Sequence, residues 1–206
     1  LDAVGERALA YFAVVPTAEL SDAELLRRSE TLGQLGQVKL ARGNAAEAMQ
    51  VFRESLAQAR DLAARDAGRP EWQFQLGNAE YWVGLLHYNA GAYDSAQSHF
   101  DRYLASARAL VARDSTRVAW QQELANAFSN LASLREAQGD LRGARDAFRD
   151  VLRVQERLVR LAPDDEEARV QLGNSHNTLA VVHDKLGALD SARVQSERAY
   201  ALHRAA

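Results

Sequence analysis

The amino-acid sequence predicts an all-α fold, an αα superhelix of four helix pairs preceded by one N-terminal helix. The chain has only 12 glycines and 3 prolines in 206 residues, which leaves little room for loops. Four glycines, Gly43, Gly91, Gly139 and Gly187, recur 48 residues apart. Apolar residues between these glycines follow a helical period. Self-similarity at a fixed period indicates a repeat architecture.

The repeat extends well beyond the glycines. The positions that recur are Ala48, Ala96, Ala144 and Ala192; Phe52, Phe100 and Phe148, with Ser196 in the fourth copy; Leu76, Leu124 and Leu172; and Asn78, Asn126 and Asn174. Trp72 and Trp120 also align, and Ala168 takes their position in the fourth copy. The copies are therefore related along their full length.

Each copy predicts two helices. In the second copy, Trp72, Leu76, Ala79, Val83 and Leu86 are spaced by four and three residues, which places them on one helical face. The aligned glycine then ends this helix, because glycine readily adopts the left-handed conformation. A second apolar stripe begins at once and predicts the second helix. The predicted bounds are an N-terminal helix at 1–16, a remnant of a preceding repeat, and repeats at 21–67, 70–115, 117–163 and 165–206.

Helix starts can also be predicted. Ser21 and Glu24 have the spacing of a capping box, in which each side chain accepts a hydrogen bond from the other residue's backbone. The carboxylates of Asp164, Asp165, Glu166 and Glu167 come at the start of another predicted helix. Negative charge there favours the exposed backbone amides, so these residues are interpreted as capping groups.

Composition excludes several classes of function. The 25 basic and 28 acidic residues give a net charge of -3, which provides no basis for binding nucleic acid or anionic membranes. Without cysteine the chain has no disulfide and no thiolate nucleophile. The sequence lacks a signal peptide and a membrane span, so we expect a cytoplasmic protein. Arginine far outnumbers lysine, which suggests a bacterial source, and the start at Leu1 suggests a larger parent protein.

The quoted residues resemble the tetratricopeptide repeat, whose pattern has Leu-Gly in the first helix and Ala-x-x-x-Phe in the second. Leu35-Gly36 and the pairs Ala48 with Phe52, Ala96 with Phe100 and Ala144 with Phe148 carry the resemblance. The usual period is about 34 residues, so a period of 48 implies helices of roughly 20 residues. The long period is similar to that of bacterial arrays joined to signalling or effector modules, and to the kinesin light chain type. The resemblance implies a right-handed superhelix and protein binding.

Some positions depart from the family pattern. Its early tryptophan is replaced by Leu32, Glu80, Phe128 and His176, and the aromatic residue before the turn by Lys39, His87, Arg135 and His183. His176 and His183 share a helical face, but a metal site would need a nearby carboxylate and orienting partners. We interpret both as half-buried replacements for family aromatics. No phosphate-binding or hydrolase motif is present. The sequence therefore predicts a non-enzymatic protein with no metal and no cofactor.

The resemblance implies that the first helices line a concave groove. Ten groove residues are predicted: Asn78, Tyr81, Trp82, Leu85, Tyr88, Asn126, Ser129, Asn130, Asn174 and Asn177. The aligned asparagines either hold the backbone of an extended peptide or make structural hydrogen bonds between repeats. Likewise, the aromatic residues are either binding hot spots or packing residues. As an anchor, Trp82 is expected to affect binding far more than stability.

The leading hypothesis is a protein–protein interaction module, the regulatory or sensing arm of a larger bacterial signalling or effector protein. Its partner would be a protein or peptide bound in the groove. One alternative is a sensor of a small ligand or signalling peptide, with a pocket at Trp82, Tyr88, His87 and Asn130. Another is an oligomerising spacer, a homo-oligomer joined through the unprotected solenoid ends.

Overall fold

The structure, a computed structural model, describes residues 17–205, and within that range it contains helices and turns but no strand. The all-α prediction is confirmed, whereas the predicted helix at 1–16 lies outside the described residues. A short 3₁₀ turn at Thr17–Glu19 comes first. The α-helices are α1 (Asp22–Ala41), α2 (Ala45–Arg65), α3 (Pro70–Asn89), α4 (Tyr93–Arg113), α5 (Val118–Ala137), α6 (Leu141–Leu161), α7 (Glu166–Lys185) and α8 (Leu189–Ala205).

The helices form successive pairs, α1–α2, α3–α4, α5–α6 and α7–α8, in which we call the members the first and the second helix. The first helices α1, α3, α5 and α7 each have 20 residues, and the second helices α2, α4 and α6 have 21. Each is about 30 Å long. This agrees with the predicted helix length, while the predicted repeat bounds stay predictions. None of the described helices is long and apolar enough to cross a membrane.

The aligned glycines occupy the turns within the pairs. Gly43, Gly91, Gly139 and Gly187 have positive φ angles, between 72° and 83°. In the first turn, the amide of Gly43 donates to the carbonyl of Leu40 at 2.9 Å, and the amide of Asn44 donates to that of Lys39 at 3.0 Å. These two bonds form a Schellman motif, which satisfies the last carbonyls of the helix. The prediction that glycine ends each first helix is confirmed.

Side-chain caps define several helix starts. Ser21 and Glu24 form the predicted capping box at α1. At α7, the Asp165 carboxylate accepts a hydrogen bond from the Ala168 amide at 3.0 Å. Capping by the acidic run is thus seen at Asp165, and α7 begins where that run predicts.

The described residues divide into two compact units, those up to residue 106 (unit one) and those from residue 107 (unit two), with the boundary inside α4. In unit one, α2 and α3 share a core of Ala48, Phe52, Leu56, Ala59, Ala79, Val83 and Leu86. In unit two, the core contains Ala132, Ala144, Ala147, Phe148, Val151, Leu152, Leu172, Leu179 and Val182. Ala48 and Ala144 are fully buried in these cores. The recurring small residues therefore lie where helices approach each other closely.

Candidate functional site

The predicted aromatic residues of unit one lie side by side on α3. The rings of Tyr81 and Trp82 are 5.0 Å apart, edge to face. Tyr81 also lies 5.8 Å from Tyr103 of α4, and Tyr88 lies 6.5 Å from Phe100. Tyr81, Trp82, Leu85 and Tyr88 are all half-buried. The structure therefore brings them together, but each also takes part in packing or lies partly shielded from solvent.

Trp82 is tied to the core more closely than the sequence suggests. Its ring stacks on Phe52 of α2 at 5.2 Å with an interplanar angle of 3°, and it packs against the core of unit one. Truncation of Trp82 would remove that stack as well as any ligand contact. The expectation that Trp82 acts on binding with little effect on stability is therefore revised, because one face of the ring is structural.

The predicted polar residues lie on the first helices. Asn78 is half-buried on α3, whereas Asn126 on α5 and Asn174 and Asn177 on α7 are exposed. The Asn126 side-chain oxygen accepts a hydrogen bond from Gln122 within α5, at 3.2 Å. These placements favour solvent-facing amides over buried bonds between helices.

Two predicted residues bond to their own helix instead. Asn130 donates to the carbonyl of Asn126 at 2.8 Å, and Ser129 donates to that of Ala125 at 2.9 Å. Thr178, at the position of Asn130 in the next copy, donates to the Asn174 carbonyl at 3.0 Å. Such bonds to the carbonyl four residues earlier are a local use of polar side chains in a helix. Asn130 and Ser129 are therefore less available to a ligand than Asn126 and Asn174.

An ionic cluster around the buried carboxylate of Glu80 lies between α2, α3 and α4. The Glu80 carboxylate, with its side chain 1% exposed, accepts from Arg60 Nε and Nη2 at 3.0 and 2.7 Å. Its other oxygen lies 2.6 Å from His99 Nδ1. The aligned residues in the fourth pair are His176 and Gln195, which are joined at 2.7 Å. In the second and fourth helix pairs, polar residues thus replace the family's early tryptophan. Each of them binds a side chain of the second helix and so links the two helices of the pair.

Two further histidines, His87 and His183, are also shielded from solvent, at least in part. Burial, followed by Arg149 and Arg145, lowers the pKa of His183, and burial, His99 and Arg53 lower that of His87. His176 and His183 are 4% and 5% exposed, so they are buried rather than half-buried as the sequence suggests. Between residues 17 and 205, no three His, Asp or Glu side chains are grouped to hold a metal ion.

Unit two contains a cavity that the sequence analysis does not predict. Its volume is about 310 Å³, at the lower end of the range of ligand pockets. The lining residues are Val118, Gln122, Leu158, Ala162, Asp165, Glu167, Ala168 and Gln171. None of the four residues proposed for a small-ligand pocket is among them. The available signal was the alignment of Ala168 with Trp72 and Trp120, because a small residue replaces two large ones.

Comparisons with known proteins agree with this architecture. Residues 124–160 match the family model of the tetratricopeptide repeat. The crystal structure of BtubC (BKLC) from P. vanneervenii is similar over 98% of this chain and 89% of its own, with 14% identity and a TM-score of 0.55. TTC0263, a thermophilic TPR protein of Thermus thermophilus, aligns with 84% of this chain and 74% of its own, at 22% identity and a TM-score of 0.40.

A further solved structure, that of MamA MSR-1 C2, aligns with 100% of this chain and 95% of its own, at 15% identity and a TM-score of 0.47. No curated protein matches the chain in sequence. At these identities, the likeness to solved structures concerns the fold alone, and among the three only BtubC has a TM-score above 0.5. The family match therefore shows a tetratricopeptide repeat at residues 124–160. The glycine turns and the likeness to BtubC show that the described part of the chain has the fold of a helical-repeat superhelix.

Proposed function

We propose that the chain binds an extended peptide segment of a partner protein along the exposed faces of α5 and α7, the first helices of unit two. The fold supports a protein–protein interaction scaffold in general, and the polar residues of unit two support this finer role. Asn126 and Asn174 occupy the same position in successive first helices, and both are exposed. This pair of aligned, exposed amides is the observation that carries the proposal.

The chemistry of asparagine suits an extended peptide. Each side-chain amide offers two donors and one acceptor, so it can pair with both the N–H and the C=O of a peptide backbone. Asparagine has a poor helix propensity, so its recurrence inside helices needs a compensating role. Tyr81 and Tyr88 of unit one form a separate group, which would offer a partner apolar contact of the kind found at binding hot spots. The wider role is that of a regulatory or sensing arm in a larger, cytoplasmic bacterial signalling protein.

Selection from a random peptide library displayed on phage tests this function directly. We expect the wild-type chain to enrich a family of peptides. The double variant Asn126→Ala/Asn174→Ala should weaken an enriched peptide at least about tenfold while leaving the urea midpoint unchanged. The matched control is Gln97→Ala, since the Gln97 amide bonds Asp101 within the second helix α4. Failure to enrich any peptide, or equal binding by the double variant and the control, would contradict the proposal.

Oligomerisation is a second candidate function that a specific observation supports. Tyr200 and Leu189 on α8 are 64% and 66% exposed, a large apolar exposure for one helix. A self-associating chain would cover them. Sedimentation equilibrium of the wild type and of Tyr200→Glu tests this role: a dimer that dissociates in the variant supports it, and a monomeric wild type excludes it.

A further inference from the structure

The cavity of unit two lies where earlier repeats hold a tryptophan. Ala168 aligns with Trp72 and Trp120, which are only 4% and 6% exposed. In unit one, Trp72 packs with Leu20, Leu25 and Leu62. Leu62 corresponds to Leu158, which lines the cavity. The Trp72 indole therefore takes the place that is empty beside Ala168 in the fourth copy.

The missing indole is accompanied by a missing cation. The Arg69 guanidinium lies 4.6 Å from the centre of the Trp72 ring, and the Arg117 guanidinium lies 4.6 Å from that of Trp120. Asp165 occupies the position of these two arginines in the fourth copy. A cation–π pair present twice in the chain is thus replaced by an alanine and a carboxylate.

The backbone at the start of α7, beside the cavity, is held by the same kind of hydrogen bond as the start of α5. Gln121 donates to the carbonyl of Ser115 at 2.8 Å, and the aligned Arg169 donates to the carbonyl of Pro163. The Asp165 cap fixes the first turn of α7. The cavity therefore results from the loss of side chains and not from a displaced loop.

We propose that this cavity receives an aromatic side chain of a partner peptide, with a lysine or arginine next to it in the partner. The ring would lie against Val118, Leu158, Ala162 and Ala168, which form the apolar part of the lining. The cation would face the carboxylates of Asp165 and Glu167, both exposed at the start of α7. The partner would restore the arginine–tryptophan pair that the fourth repeat lacks.

This inference rests on the proposed peptide-binding function, because the cavity adjoins the polar surface assigned to it. Gln122 lines the cavity and donates to Asn126. Gln171, also in the lining, comes one helical turn before Asn174. An aromatic residue in the cavity would thus fix the register of a peptide that continues along Asn126 and Asn174.

The test uses three capped tetrapeptides, acetyl-Ala-Lys-Trp-Ala-amide and versions with tryptophan changed to alanine or lysine changed to glutamate. Binding to the full chain is followed by amide chemical shifts of Gln122, Ala162, Ala168 and Gln171. We expect the first peptide to shift these signals and to bind at least about tenfold more tightly than either control. Equal affinities, or shifts confined to other residues, would overturn the inference.

Two variants then test the cavity itself. Ala168→Trp introduces the residue present at the aligned positions, so it should fill the space and weaken the lysine–tryptophan peptide at least about tenfold. Asp165→Asn keeps a good helix cap but removes the charge, and it should reduce the preference for lysine over glutamate. Unchanged binding by Ala168→Trp, or an unchanged charge preference in Asp165→Asn, would exclude the cavity or its charge from recognition.

The tetrapeptides and the library peptides together distinguish a failure of this inference from a failure of the proposed function. Asn126→Ala/Asn174→Ala should weaken library peptides but leave the tetrapeptide bound, since its ring occupies the cavity. If library peptides bind and depend on the asparagines while the tetrapeptide does not bind, the groove function stands and the cavity assignment fails. If only the tetrapeptide binds, the cavity is a site and the extended groove is not.

Discussion

At the scale of single residues, the Glu80 cluster predicts different losses of stability for a single variant and a double variant. His99→Val leaves one buried carboxylate oxygen of Glu80 without its partner, which we expect to lower the free energy of unfolding by about 1–3 kcal/mol. The double variant Glu80→Leu/His99→Val reproduces the apolar residues at these positions in the first pair, Leu32 and Val51. It should lose less stability, because replacing both partners of a buried polar pair removes the desolvation penalty.

Urea denaturation of the two variants distinguishes these expectations. Arg60, which is 47% exposed, can turn to solvent when Glu80 is replaced. If the double variant is less stable than the single variant, the ionic cluster contributes net stability beyond that of an apolar contact.

His183 predicts a dependence of stability on pH. Burial and the nearby Arg149 and Arg145 lower its pKa in the folded chain, so below about pH 6.5 the unfolded chain takes up a proton first. The associated stability is fully present above that pH and is lost as the pH falls through the lowered pKa. His183→Phe should therefore show a smaller drop in urea midpoint between about pH 7.5 and 5. The same drop in the wild type and the variant would contradict this.

At the scale of the helix pair, close packing predicts opposite effects for two glycines of α1. A methyl group at Gly36 would lie 2.5–2.8 Å from the Phe52 ring, whereas one at Gly33 would meet its nearest neighbour, Ser55, at 3.8 Å. We expect Gly36→Ala to destabilise by about 1–3 kcal/mol through overpacking. Gly33→Ala should stabilise by up to about 1 kcal/mol through helix propensity. Thermal unfolding of both variants would reveal any failure of this ranking.

The recurring alanines predict a similar cost of overpacking in the second helices. Ala96 and Ala144 are fully buried, so Ala96→Leu and Ala144→Leu should each lower stability by about 1–3 kcal/mol. The matched control is Ala105→Leu, because Ala105 lies on the same helix as Ala96 but is exposed, and this variant should change stability little. Unchanged urea midpoints for the two core variants would show that these alanines do not limit helix approach.

The elements were predictable from sequence because local signals determine them. Gly43 and its counterparts end the first helices through backbone conformation, and Ser21 and Asp165 cap helices through their own side chains. The candidate site was less predictable, since it depends on contacts between helices. The stacking of Trp82 on Phe52 joins residues 30 positions apart, and helical periodicity does not report it. The alignment of the copies shows that Ala168 replaces a tryptophan. Only the packing around Trp72 in the structure shows that this replacement leaves a cavity.

At the scale of the whole molecule, burial predicts a gradient of local stability. Leu56 and Leu152 are 3% and 7% exposed, whereas the aligned Tyr200 of α8 is 64% exposed. Helices with fewer buried contacts open more readily. Amide hydrogen exchange should therefore be faster along α8 than along α2 or α6. Equal protection of α8 and α6 in the monomer would show that the exposed face of α8 does not weaken it.

The local contacts of the helices also bear on how the chain folds during synthesis. Contacts join α1 to α2 and α2 to α3 in unit one, and α5 to α6, α6 to α7 and α7 to α8 in unit two. A contact between sequence neighbours closes only a short loop, which favours rapid folding. Translation proceeds at about 5–20 residues per second, far more slowly than a helix forms. Each helix pair can thus be complete before the next leaves the ribosome, and within each unit the growing chain exposes the apolar face that the next helix of that unit will cover.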